Sequence, residues 1–147
     1  MVHWLDDSGN NLRHWRHNAE ALVYAAEILK QHPDRRETVI WSELLLWGYA
    51  LEVFLKALFL RRGRLLYKNG EFVGPKHHDL VEMANEVGHA LTLPQGNLMG
   101  ELAKVVKWAG RYPVELRGSK PQSVYWDDAY YVPLESLIES LRAELDK

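Results

Sequence analysis

The stretch VIWSELLLWGYALEVFLKALFL, residues 39–60, decides the fold. Trp41, Leu44, Leu45, Gly48, Leu51, Leu55 and Leu58 recur at the spacing of one helix face, while Leu46, Trp47, Phe54 and Phe59 fill others. A helix apolar on most sides must be covered by several neighbours, so it reads as the centre of a bundle. The stretch is also long enough to span a bilayer. Glu43, Glu52 and Lys56 lie inside it, and charges are costly at a bilayer centre, so no membrane span is expected.

Around this centre the chain supplies further amphipathic segments. A first helix is expected from about Asn10 to Gln31, closed by Pro33, with Leu12, Trp15, Ala19, Leu22, Val23, Ala26 and Leu29 on its apolar face. The central helix is expected to start with Asp34 as N-cap and to stop at Gly63. Asn69-Gly70 between apolar flanks predicts a short type I′ hairpin near 65–73. A third helix is expected from His78 or Asp79 to Gly88, and a fourth from Gln95 or Asn97 to Gly110 or Arg111, stopped by Pro113. A tyrosine-rich connection then leads to a fifth helix from Pro133 to about Asp146. The expected fold is an all-α, five-helix up-and-down bundle in one domain spanning residues 1–147.

Composition narrows function more than it names it. The formal net charge is -2, so bulk basicity does not argue for nucleic acid, and any such contact must use a local patch. Cysteine is absent, which excludes disulfides, thiolate catalysis and cysteine zinc sites and fits a cytoplasmic location. The polar, acidic N-terminus does not read as a signal peptide. No phosphate-binding glycine loop, dinucleotide fingerprint, nucleophile elbow or zinc-protease motif is present, and no cofactor is expected.

Several polar residues stand out against this background. Glu52 and Lys56 lie at i,i+4 in the order that favours pairing, inside an otherwise apolar helix. Either they form a polar centre within the bundle, or they line its one exposed stripe as a surface pair. His77, His78 and Asp79 precede an apolar run. Asp79 reads as a helix N-cap with Glu82 as a capping-box partner, and no metal is expected because adjacent histidines rarely share an ion. Arg13, His14, Arg16 and His17 form a basic helix face, and Arg61, Arg62 and Arg64 suit a helix C-terminus or a phosphate patch. In Trp108-Ala109-Gly110-Arg111-Tyr112-Pro113 the arginine can bond the last helix carbonyls or reach an anion.

Three segments in order, YALEVFLKALFL (49–60), KHHDLVEMANEVG (76–88) and VVKWAGRYPV (105–114), resemble bacterial HEPN-domain proteins. The resemblance implies a helical bundle, usually a homodimer, associated with RNA either as a metal-independent ribonuclease or as a non-catalytic binding relative. It also implies a toxin–antitoxin or phage-defence setting, with an antitoxin or other protein as partner. Family members that cleave RNA carry an arginine and, a few residues on, a histidine near the start of a late helix. Here Arg111 is followed by no histidine, and Arg13 with His17 lies in the first helix.

The expected function is therefore a HEPN-like module that binds RNA or a nucleotide. Glu52, Lys56, Asp79, Trp108 and Tyr112 are the ligand-binding candidates. The first alternative is a metal-independent ribonuclease with His78 as acid/base and Arg111 as phosphate clamp. The second is a non-catalytic protein-interaction module using Tyr125, Trp126 and Tyr130.

Overall fold

The computed structural model describes residues 9–34, 39–109 and 123–147. Five helices dominate: α1 (Leu12–Lys30), α2 (Ile40–Arg61), α3 (Leu80–Val87), α4 (Leu93–Lys104) and α5 (Tyr131–Leu145). Among the described residues the only strands are β1 (Tyr67–Lys68) and β2 (Glu71–Phe72), an antiparallel pair with Tyr67 opposite Phe72. The expected all-α bundle with a short hairpin is what forms.

α2 is the centre. Leu51, Phe54, Leu55, Ala57 and Leu58 on it are fully buried. It packs along α1 and also touches α3, α4 and α5, and one apolar cluster draws side chains from all five helices. Gly48 has a definite role on this helix. A Cβ there would lie 2.4 Å from Val106 Cγ2 and 3.4 Å from the Leu102 carbonyl oxygen. The missing side chain is therefore what lets the end of α4 lie against α2.

The ends of the helices follow local chemistry, with some differences from expectation. α1 is capped by Asn11, whose side chain accepts the Arg13 and His14 N–H groups. α2 is described from Ile40, and Val39 before it offers no side-chain cap. The expected start after Pro33 falls on residues 35–38, which lie outside the described residues, and Asp34 itself lies in a turn with its N–H donating to His32 Nδ1. α4 starts earlier than Gln95. Thr92 caps it, Gln95 returns the bond to Thr92 N–H, and Pro94 sits in the first turn where its missing N–H is harmless. α5 starts at Tyr131, directly after a 3₁₀ turn over Asp128–Tyr130, so Pro133 falls inside its first turn. In the hairpin Asn69 and Gly70 both have positive φ, 52° and 79°, as a type I′ turn requires.

Two features tie the outer helices to the bundle. Along one side, α1 and α5 are joined by Arg16–Asp146 at 2.5 Å, by both oxygens of Glu20 on Arg142, and by Lys30–Glu135 at 3.8 Å. The bond to Glu20 holds the Arg142 guanidinium above its already high usual pKa. Within the core, the fully buried Glu43 carboxylate accepts Trp47 Nε1–H at 2.8 Å and the Tyr131 hydroxyl, which pins the start of α5 to α2. A carboxylate so placed must be hydrogen-bonded, and these donors come from two elements.

A candidate site around Glu52 and His78

Glu52 sits on the middle of α2 and is 5% exposed. Its Oε1 accepts Lys56 Nζ at 2.6 Å, one helical turn on. Its Oε2 lies 3.0 Å from His78 Nδ1, just before α3. The polar-centre alternative is therefore the one realised: the pair is not a surface salt bridge. Lys56 is itself largely covered, with its ammonium 5.2 Å from the centroid of the Phe72 ring in β2. The hairpin thus roofs the lysine, while His78 carries the polar centre out to solvent with 43% of its side chain exposed.

Hydrogen bonding assigns the two neighbouring histidines opposite tautomers in their neutral forms. A carboxylate accepts, so His78 Nδ1 carries the proton and Nε2 keeps a lone pair. Nε2 has no hydrogen-bond partner among the described residues. His77 is the reverse. Its Nδ1 accepts the Asp79 backbone N–H at 3.2 Å, so the proton lies on Nε2 and points to Glu86 Oε1 at 2.8 Å.

Asp79 is the expected N-cap of α3, accepting the Glu82 N–H at 3.0 Å. The capping-box partner differs from expectation, because Asp79 N–H goes to His77 rather than to the Glu82 side chain. Gly88 closes the helix in the left-handed conformation with φ 74°. Asp79 therefore has a structural role at the start of α3.

His77, Glu82 and Glu86 also bring one nitrogen and two carboxylates within 4.8 Å of one another, a grouping the sequence reading did not foresee. The donor chemistry does not suit an ion. Ligation through His77 Nε2 requires a proton on Nδ1, which would then face the Asp79 N–H. Within the group His77 and Glu86 are hydrogen-bonded to each other.

Past α4 the chain continues as a π-helical turn, Val105–Ala109. Val105 and Val106 are fully buried and Lys107 emerges exposed, its Nζ 3.9 Å from Asp79 Oδ2. Lys107 was missed from sequence because a lysine near a helix end carries no signal of its own. The backbone of Trp108 belongs to the same turn. Its side chain, and all of Arg111 and Tyr112, lie outside the described residues. The structure therefore joins Glu52, Lys56 and His78 by hydrogen bonds, and Asp79, the residue after His78, meets Lys107.

Part of each of the other basic clusters is engaged structurally, Arg16 by Asp146. Arg62 meets Glu144 at 3.4 Å, and Arg64 lies over the Phe59 ring and donates to the Glu86 carbonyl. His89, also unforeseen, is buried at the end of α3 with Nε2 3.1 Å from Ser140 Oγ. The Ser140 hydroxyl donates to the Leu137 carbonyl, so this pair is not a nucleophile and its base.

Among the described residues, no helix is long and apolar enough to cross a membrane. Comparison with family models, with curated proteins and with solved structures returns no match.

Proposed function

We propose that the chain is a HEPN-like RNA-associated module whose contact with RNA is made through His78. The observation that carries this reading is the Glu52–His78 bond. It fixes a half-exposed imidazole with Nδ1 inward and an acceptor nitrogen outward. An outward acceptor suits a hydroxyl donor, and the ribose 2′-hydroxyl is the donor that separates RNA from DNA. Lys56 and Glu52 balance each other beneath the ring, so the polar centre is a support and not itself the contact surface. The resemblance to HEPN-domain proteins supports the same reading, together with a homodimer, a cytoplasmic setting and a place in a toxin–antitoxin or phage-defence system.

A second reading is favoured by the same bond. A carboxylate-held imidazole whose Nε2 has no partner among the described residues is also the arrangement of a general base that takes the proton of a 2′-hydroxyl. The oxygen attacks the adjacent phosphate, and the bond to the 5′-oxygen of the next nucleotide breaks. That oxygen leaves protonated by water or the imidazolium, without a metal ion. In that reading Arg111 is the phosphate clamp, carried on sequence alone.

The test compares labelled single-stranded RNA with the 2′-deoxy strand of the same sequence, in EDTA, for wild type and His78→Ala. The expected result is tighter retention of RNA than of DNA, with the preference lost in His78→Ala. Equal affinity for both strands, or a preference that survives His78→Ala, overturns the assignment. RNA cleavage by wild type that disappears in His78→Ala and in Arg111→Ala moves the weight to the ribonuclease reading.

A further inference from the structure

The His78 site has a cationic neighbour that arrives from a different element. Three charged or chargeable side chains are partly exposed near the α3 N-terminus, with Lys107 meeting Asp79, the residue after His78. His78 is 43% exposed, and Asp79 and Lys107 are 41% and 46% exposed. The first two come from the chain entering α3, while Lys107 comes from the π-helical turn after α4.

That turn is what places it. A π turn holds more residues than an α turn, so it rotates its later side chains relative to the helix before it. Here Val105 and Val106 stay in the core, with Val106 against the gap left by Gly48, while the next residue is turned out toward Asp79. The close approach at Gly48 holds the turn against α2. The packing at Gly48 therefore helps to place Lys107, and the ion pair with Asp79, long and exposed on both sides, contributes little.

Resting on the RNA reading above, we infer that Lys107 is the phosphate contact of the His78 site. It would exchange Asp79 for a backbone phosphate when the neighbouring ribose hydroxyl meets His78 Nε2. The division of labour is chemical. An ammonium with three donors and no acceptor suits a phosphate oxygen, whereas an imidazole held with its lone pair outward suits a hydroxyl. Asp79 then acts as a competitor for the lysine, and its removal should help binding.

The experiment measures affinity for single-stranded RNA against salt for wild type, Lys107→Ala, Lys107→Arg, Asp79→Asn and Lys147→Ala. Lys147 lies near the chain end and pairs with Glu144, so its variant removes one positive charge outside the site. Asparagine keeps the N-cap of α3, so Asp79→Asn leaves the helix start intact. The expected result is that Lys107→Ala lowers the log–log salt slope by about 0.7, the change for one phosphate on a single strand. Lys107→Arg should retain the slope, Asp79→Asn should bind tighter, and Lys147→Ala should match wild type. The RNA-over-DNA preference should survive Lys107→Ala, because that preference belongs to His78. If Lys107→Ala and Lys147→Ala behave alike, or if Asp79→Asn binds no better than wild type, the inference is overturned while the function stands. If wild type retains no RNA, the function itself falls.

Discussion

Glu52 Oε2 and His78 Nδ1 are 3.0 Å apart, joining the middle of the central helix to the residue before the N-cap of α3. Lys56 holds the other oxygen of the same carboxylate. One buried group thus sets the register between two elements and the tautomer of an exposed ring.

This sharing predicts how the polar centre responds to mutation. Lys56→Met should destabilise the protein by about 3 kcal/mol, because it leaves a buried carboxylate with one partner fewer. The double variant Glu52→Leu/Lys56→Met should recover most of that loss, since it removes the buried charge together with its counter-ion. Urea denaturation of both variants checks this. A double variant no more stable than Lys56→Met would show that the centre is held by more than the pair.

At the contact between α2 and the π turn, Gly48→Ala should destabilise by about 1–3 kcal/mol through overpacking, despite the better helix propensity of alanine. The added Cβ meets the buried, stiff Val106 and lies close to a backbone oxygen. Adding Val106→Ala to Gly48→Ala should recover part of the loss. A thermal midpoint that rises in Gly48→Ala would mean that α4 does not approach as closely as described.

His89 predicts the acid response. Burial holds its pKa below the ordinary 6.5, opposed by Glu144 on α5 and assisted by Arg62 at the end of α2. Above pH 6.5 the ring is neutral in both folded and unfolded chains and has no effect on stability. As pH falls through 6.5 the unfolded chain takes up the proton first, so stability is lost until the folded form also titrates. His89→Gln, which can still donate to Ser140, should flatten that part of the profile. Stability measured by urea between pH 7.5 and about pH 5 should fall more steeply for wild type. Parallel profiles would place the acid sensitivity elsewhere.

Much of the architecture is legible in the chain as a string of residues. The apolar run of 39–60 can only be a covered helix, Asn69-Gly70 can hardly be anything but a tight turn, and Asp79 before Leu80 is a helix start in its own local chemistry. Such signals act over a few residues, through backbone sterics and side-chain caps, so they survive in one dimension. Where two local readings competed, the string was weaker. Thr92 with Gln95 outranked the later start expected for α4, and Tyr131 rather than Pro133 opened α5.

The site is a different matter. Nothing local separates Glu52 and Lys56 as a surface pair from the same two residues as a buried centre, because both need only the i,i+4 spacing. The roof of Phe72 and the arrival of His78 decide it, and both come from outside the helix. Lys107 reaches Asp79 partly because Gly48 admits α4 so closely and a π turn swings the lysine outward. The sequence by itself determined the helices, the Asp79 cap and the hairpin, since those depend on neighbours along the chain. The tertiary structure alone decided which charges are buried, which tautomers the two histidines adopt and which cation stands beside them. Desolvation and hydrogen bonding across elements are properties of packing, and no spacing along the chain encodes them.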